Sequence, residues 1–274
     1  MYLDLHVHSR CSDGTFSADE LVTMARELGL EFLSITDHDS VGCQEAAVRA
    51  AKKMGVRYIT GVEISCEFAT MMDILGYGID PSHAELKCTL ETLVEYRNRR
   101  NLIIIEILRD LGLDISLDEV LEEAGGDVVG RPHFARVLLK KGYVGTIQEA
   151  FDRYLAKGAK AYVDRKRLKM YEAISLIKKA GGVPVLAHPG LMKLSFSELD
   201  DLLSKLKEHG LMGLECFYSK HSTEETTVYL ELARKHGLYI SAGSDFHGNN
   251  KPDVPMGMEI PLERFNGRFI LDLL

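Results

Sequence analysis

Histidines and carboxylates recur along this chain at spacings that could bind metal. His6-Val-His8 closes an apolar run, Asp13 follows five residues later, and Asp37-His38-Asp39 closes a second such run. Glu63 lies in Gly-Val-Glu-Ile-Ser and Asp73 opens Asp-Ile-Leu-Gly-Tyr. His188 follows Val-Leu-Ala, and Asp245-Phe-His247 repeats the two-residue spacing near the far end. On a strand, residues i and i+2 face one side, so a pair such as His6 and His8 presents both imidazoles together. Burying so many ionisable groups is costly unless something compensates them. Divalent cations do so, and imidazole mixed with carboxylate suits Mn, Zn or Fe. A lone histidine more often packs or faces water. His83, His209, His221 and His236, at helix ends or on polar helical faces, take that plainer reading.

Such residues need elements that bring them to one place. Apolar runs predict strands at 2–7, 31–36, 56–65, 73–78, 183–187, 213–217 and 238–242. Helices are expected from the capping box Ser17-x-x-Glu20 to near Gly29, then at 41–54, 171–180, 196–209 and 222–236. Repeated strand–helix units with short connections imply an α/β fold with a mostly parallel sheet, closed or nearly closed into a barrel. Barrel enzymes keep their active sites at the C-terminal ends of the strands, where the residues above fall. From about 82 to 169 the patterns are helical only. One long amphipathic stretch covers 86–111, and shorter helices are opened by Ser116, by Arg131-Pro132 and by Thr146. The expected organisation is a barrel from 1–80 and 168–274, with a helical insertion at 81–167 serving as a substrate lid.

Charge is unevenly spread. The chain has 33 basic and 41 acidic residues, net −8, which argues against a general polyanion binder or a partner in long duplex nucleic acid. Yet residues 131–169 hold 11 Lys/Arg against 3 Asp/Glu, net +8. Pro132 suits the first helical position, so backbone N–H groups there stand beside Arg131 and His133 as a ready anion site. Arg97 and Arg100, three apart on a helix, could clamp a second phosphate, and Phe134 could stack a base. The run Arg165-Lys-Arg167-x-Lys169 reads as a solvated face. Five cysteines, an odd number without CxxC, fit free thiols in a reducing cytosol. No basic segment leads an apolar one at the N-terminus, and the longest apolar run, 102–108, is broken by Glu106. A soluble cytoplasmic protein with no membrane partner is expected. No Gly-x-Ser-x-Gly nucleophile motif occurs, which favours direct attack by water.

His6-x-His8, Thr36-Asp37-His38, Glu63, Ala187-His188-Pro and Ser244-Asp245-x-His247 together resemble the motifs of the PHP (polymerase and histidinol phosphatase) family, from Tyr2 to about Asn249. The resemblance implies a distorted (β/α)7 barrel with two or three divalent metals at its mouth. It implies one metal on His6, His8, Glu63 and Asp245, a second on Asp13, His38 and His247, and a third on Glu63, His188 and Asp73. Asp73 departs from the family, where His is expected before Ile-Leu-Gly-Tyr. An Asp there is harder and favours Mn over Zn, or leaves the third site weak or empty.

The insert, with Tyr96-Arg97-Asn-Arg99-Arg100 and Gly130-Arg131-Pro132-His133-Phe134, is similar to that of the 3′,5′-nucleotide bisphosphate phosphatase subgroup. Relatives of that subgroup act as 5′-3′ exoribonucleases on short RNAs. The expected function is hydrolysis of a nucleotide phosphate ester, such as the 3′-phosphate of 3′-phosphoadenosine 5′-phosphate, by hydroxide held between two metals. Asp13, Arg131 and His133 are expected at the reacting phosphate. Arg97, Arg100, Phe134 and His247 are expected against the rest of a small phosphorylated substrate, a nucleotide or a short RNA end. His133 or a metal-bound water would protonate the leaving oxygen. The alternatives are an exoribonuclease, a phosphatase of the histidinol-phosphate type, an amide-hydrolysing metalloenzyme and a non-catalytic metal-binding module.

Overall fold

In a computed structural model, residues 1–124 and 128–265 are described. Residues 125–127 of the expected insertion and 266–274 of the expected barrel lie outside the described residues.

The first third alternates as expected: β1 (Tyr2–Val7), α1 (Ala18–Leu28), β2 (Phe32–Ile35), α2 (Gln44–Met54), β3 (Gly61–Ser65) and β4 (Asp73–Tyr77). A capping box starts α1: the Ser17 hydroxyl accepts from the Glu20 N–H, and the Glu20 carboxylate accepts from the Ser17 N–H. Gly29, at φ 73°, ends it in a left-handed turn that a side chain would resist. Four helices follow: α3 (Ala84–Asp110), α4 (Leu117–Ala124), α5 (Arg131–Lys140) and α6 (Ile147–Ala150). The alternation then resumes with α7 (Met170–Lys179), β5 (Val183–Leu186), α8 (Phe196–Glu208), β6 (Gly213–Tyr218), α9 (Thr223–His236), β7 (Tyr239–Gly243) and a short β8 (Met258–Glu259).

Topology corrects the expectation of a mostly parallel sheet. The strands form two sheets, ordered β2-β1-β8 and β3-β4-β5-β6-β7. β4 runs antiparallel to both β3 and β5, and β8 antiparallel to β1, while β1–β2, β5–β6 and β6–β7 are parallel. The reason is connection length. Only residues 66–72 join β3 to β4, too few for a crossover helix, so the chain turns back as a hairpin. Isolated bridges link the sheets on both sides: Leu33 to Tyr58 and His38 to Glu63 on one, Val7 to Phe246 on the other.

Apolar side chains gather into three clusters. The largest lies between the strands and α7, α8 and α9, and a second packs α1 and α2 on β1 and β2. The third belongs to residues 104–161 alone. Helix α3, 27 residues and about 40 Å long, joins two of them. Leu86, Leu90 and Leu93 are in the strand cluster, and Ile104, Ile105 and Leu108 are in the helical one.

Two sequence expectations fail here. Cys11 and Cys43 form a disulfide, leaving Cys66, Cys88 and Cys216 as the free cysteines among the described residues. The pair joins the loop after β1 to the start of α2, positions that spacing alone does not connect. Phe134 is fully buried in the helical cluster, so it presents no face on which a base could stack. Among the described residues, no helix is long and apolar enough to cross a membrane.

Candidate metal centre

The strand ends place the ligand candidates around one rim. His6 is in β1 and His8 just beyond it, His38 follows β2, Glu63 is in β3, His188 follows β5, and Asp245 and His247 follow β7. Asp73 reaches the same rim because β4 is reversed: its first residue pairs with Ser65, the last of β3. Glycines make room. A Cβ on Gly243 would stand 2.2 Å from the His6 Cβ, and one on Gly14 would stand 2.1 Å from the His8 carbonyl oxygen. His188 and Asp245 hold left-handed backbone, at φ 24° and 62°. That conformation is costly for non-glycine residues and typical of sites whose surroundings impose it.

Glu63, fully buried, lies at the centre. Its Oε2 is 3.3 Å from His6 Nε2, 3.3 Å from His8 Nε2 and 2.8 Å from His38 Nδ1. Its Oε1 is 2.9 Å from His188 Nε2, which lies 3.8 Å from Asp73 Oδ2. Asp245 Oδ1 approaches His8 Nε2 at 3.3 Å and His6 Nε2 at 3.8 Å. Asp13 Oδ1 lies 3.2 Å from His247 Nε2, and its Oδ2 lies 3.9 Å from His38 Nε2. Asp13, His38 and His247 come together whole, and so do His6, His8 and Glu63; Asp245 approaches that set through its two histidines, and His188 lies between Glu63 and Asp73. Two others arise as well: His8 joins Asp13, His38 and His247, and His38 joins Glu63 and Asp73.

A cation fits this donor set. His6 Nε2, His8 Nε2, Asp13 Oδ1, His38 Nδ1 and Glu63 Oε2 are buried without a hydrogen-bond partner among the described residues. Buried polar atoms are rarely left so, and here several converge on one space. Electrostatics agrees. Burial works against charge on Glu63, yet His38 and His6 hold its carboxyl well below the usual range. Burial likewise opposes charge on His38, but Glu63 and Asp13 lift its imidazole to about 10. A divalent cation would replace those protons as the balancing charge.

Several residues of this site carried no sequence motif. Glu215, buried in β6, accepts from His6 Nδ1 at 2.9 Å and from the His188 N–H at 2.7 Å. Tyr218 and Lys251 donate to Asp245 Oδ2 at 2.9 and 2.6 Å, leaving Oδ1 to face the histidines. Asp37, from the Thr36-Asp37-His38 motif, is no ligand but accepts from the Ser9 N–H and from the hydroxyls of Ser9 and Ser12, holding the loop that carries Asp13. Of the histidines set aside, His83 caps α3 and His236 contacts Asp200. His221, half-buried, accepts from the Gly190 N–H and so steadies the turn after His188.

The cationic residues are arranged differently from the expectation. Arg97 and Arg100 do not form one clamp. Arg97 Nη2 donates to Asp39 Oδ2 at 2.6 Å, whereas Arg100 donates to Asn101 Oδ1 and to the Val129 carbonyl. Arg165, read from sequence as solvated, is part-buried and donates to the same Asp39 oxygen at 2.7 Å. Arg131 donates to the Leu155 carbonyl and lies 5.2 Å above the Tyr162 ring. Pro132 takes the second helical position, not the first. His133 Nδ1 accepts from the Gly130 N–H at 3.0 Å, and burial, with Arg136 nearby, drops its imidazole to about 4. It is therefore neutral at pH 7 and carries its proton on Nε2. Burial above all, and then the charges of Arg97, Arg165, Arg131 and Arg167, push Arg100 down to about 8.

Comparison with known proteins bears on this geometry. The family model described as PHP domain matches residues 4–235. A 3′,5′-nucleoside bisphosphate phosphatase of Chromobacterium violaceum is 32% identical over 263 residues, covering 94% of this chain and 92% of that protein. The 5′-3′ exoribonuclease Rnm of Salmonella typhimurium is 36% identical over 247 residues, covering 89% and 84%. A solved structure from Chromobacterium violaceum, described as an amidohydrolase with bound sulfate and no metal, superposes with TM-score 0.88 at 31% identity, over 98% of this chain and 95% of that one. Another, from Bifidobacterium adolescentis and ascribed to a metal-dependent phosphoesterase, gives TM-score 0.86 at 29% identity, over 99% and 95%.

Proposed function

This chain belongs to the PHP domain family and is a metal-dependent phosphoesterase, and we propose that it hydrolyses a phosphate ester of a nucleotide, the 3′-phosphate of a 3′,5′-bisphosphate. The observation that carries this reading is the meeting of two features: the unpartnered, converging atoms of His6, His8, Asp13, His38 and Glu63, and the buried guanidiniums of Arg97 and Arg100, the first within electrostatic reach of Asp13. Cations belong in the first, and a phosphorylated substrate suits the second. A neutral amide would leave the guanidiniums nothing to bind, so phosphate is favoured over amide hydrolysis.

The described strands, bridged on both sides, are taken as a distorted (β/α)7 barrel, and residues 81–167, with their separate apolar cluster, as an inserted lid. His6, His8, Glu63 and Asp245 would hold one cation, Asp13, His38 and His247 a second, and Glu63, His188 and Asp73 a third. Four carboxylates, Asp13, Glu63, Asp73 and Asp245, would supply negative charge to these cations. Mn, Zn or Fe bound there would supply Lewis acidity and acidify water. Tyr218 and Lys251 hold the outer oxygen of Asp245, so its other oxygen is oriented before any ligand arrives. Glu215 draws the Nδ1 proton of His6 and frees Nε2 to face inward. Arg131 and the Nε2–H of neutral His133 would bind oxygens of the reacting phosphate. With its imidazole held near 4, His133 serves as a hydrogen-bond donor, not as the acid that protonates the leaving oxygen.

Cleavage of short 5′-phosphorylated RNA is a second reading, favoured by the 36% identity to the exoribonuclease. One panel with Mn²⁺ separates them: phosphate release from a 3′,5′-bisphosphate, a 5′-monophosphate and histidinol phosphate, mononucleotide release from short 5′-phosphorylated RNA, and ammonia release from amides. Release from the bisphosphate is expected to be fastest. No phosphate from any substrate by metal-loaded enzyme would overturn the proposal.

A further inference from the structure

Asp39 is a carboxylate that the metal centre does not use. It lies one residue past His38, is 1% exposed, and holds left-handed backbone at φ 52°. Its Oδ1 accepts from the Ser65 N–H at 3.2 Å at the end of β3. Its Oδ2 takes two guanidiniums at once, Arg97 from α3 at 2.6 Å and Arg165 from the segment before α7 at 2.7 Å. Two cations drawn to one oxygen repel each other, and each lies low in exposure, 7% and 10% for the side chains. One carboxylate cannot neutralise both. Arg97 Nε, moreover, is buried without a hydrogen-bond partner among the described residues, and the Asp13 carboxylate lies within electrostatic reach of Arg97. A net positive charge and an unused N–H donor are thus fixed beside the metal-side rim, which is how a protein prepares for a phosphate.

We infer that Asp39 is a positioning residue for substrate recognition, holding Arg97 and Arg165 as a guanidinium pair that binds a phosphate other than the one hydrolysed. The inference rests on the phosphoesterase reading above and makes it more specific, since the preferred substrate must carry two phosphates. Asp39 itself touches no substrate. It sets where the two forks lie, and it ties two parts of the 81–167 region and its flank to the strand ends. Left-handed backbone is tolerated by Asn as well as Asp, so Asp39→Asn removes the charge without forcing the turn.

The experiment uses Mn²⁺-loaded full-length chain as wild type, Asp39→Asn and Arg165→Gln. Kinetics are compared on adenosine 3′,5′-bisphosphate and adenosine 3′-monophosphate, binding of adenosine 5′-monophosphate is measured by calorimetry, and bound Mn is counted. Losing charge-assisted hydrogen bonds should raise KM for the bisphosphate, and weaken 5′-monophosphate binding, by about 10- to 100-fold in both variants. KM and kcat for the 3′-monophosphate, and the Mn content, should stay within about twofold. If Asp39→Asn does not fold, Arg165→Gln alone gives the same reading, because it leaves the Asp39–Arg97 contact in place. Unchanged bisphosphate KM and 5′-monophosphate binding would overturn the inference, as would equal losses on both substrates accompanied by loss of Mn. A wild type that hydrolyses neither nucleotide would sink the proposed function. The guanidinium pair would still be upheld if 5′-monophosphate binding is lost in the variants, and overturned if the wild type does not bind it.

Discussion

Replacing Glu215 by Gln should weaken divalent-cation binding by about 10- to 100-fold while leaving the metal-free fold intact. Both Glu215 oxygens accept: Oε1 from His6 Nδ1 at 2.9 Å and Oε2 from the His188 N–H at 2.7 Å, with the carboxylate fully buried. A Gln keeps one acceptor and turns the other position into a donor. If the amide NH2 meets the His188 N–H, two donors face each other. If it meets His6, it donates to Nδ1 and moves the imidazole proton to Nε2, the atom that faces Glu63 at 3.3 Å and would bind the cation. Either way one charge-assisted hydrogen bond of about 1.5–3 kcal/mol is lost, and about 1.4 kcal/mol is tenfold in affinity. Calorimetric titration of chelator-treated protein with Mn²⁺ reads the affinity, and thermal melting in chelator reads the fold. Equal Mn²⁺ affinity in Glu215→Gln and wild type would refute the claim that Glu215 sets the His6 tautomer.

Three further outcomes are expected. Phe134→Ala should cost about 3–5 kcal/mol of stability in chemical denaturation, the range for emptying a buried aromatic site. A raised KM without that loss would restore a stacking role. For His133, the folded imidazole is held near 4 against an ordinary 6.5. The unfolded chain therefore binds more protons between those values, and this residue's stabilisation, present above about pH 6.5, is lost as pH falls toward 4. Urea denaturation in chelator should show His133→Gln losing up to about 3 kcal/mol less than wild type across that window; parallel curves would contradict it. Reduction of Cys11–Cys43, which are 32 residues apart, should remove roughly 3–4 kcal/mol, read as a lower melting temperature. Labelling under denaturing, non-reducing conditions should find three thiols, not five.

The ligand candidates were legible because strand chemistry is local. His6-x-His8 follows the two-residue strand period, and Asp245 and His247 come directly after an apolar run, so sequence alone places both pairs at strand ends even though the second pair lies on irregular backbone beyond β7. The reversed β4 was less visible. Its register depends on tertiary pairing, although the seven residues between β3 and β4 already rule out a parallel crossover. Phe134 could have been read as core, since Phe134, Val137 and Leu138 recur at helical spacing and all are buried in α5. Arg165 lies in a charged run whose composition looks solvated, and only the fold shows Asp39 beneath it. Glu215 and Tyr218 were illegible for another reason: each acts on a ligand far away in sequence, and no spacing announces such a pairing. Lys251 is only six residues from Asp245, but the two lie in irregular backbone after β7, where no periodicity links them.

The contacts of β1 set an order of events during synthesis. His8 N–H donates to the Phe246 carbonyl, Asp245 N–H to the His6 carbonyl, and Ser244 to Asp4, a partner 240 residues away. At roughly 5–20 residues per second, the ribosome takes about 10–50 s to supply those partners. Until then β1 has only β2, α1 and α2 beside it: Val7 packs in their cluster, while Leu3 and Leu5 await the larger cluster built with the later strands. The half-made chain therefore displays a sheet edge and two histidines without Asp245 or His247. On the ligand assignments proposed above, the set is complete only once β7 and the segment after it have emerged, so a chain stalled before that point carries a partial site.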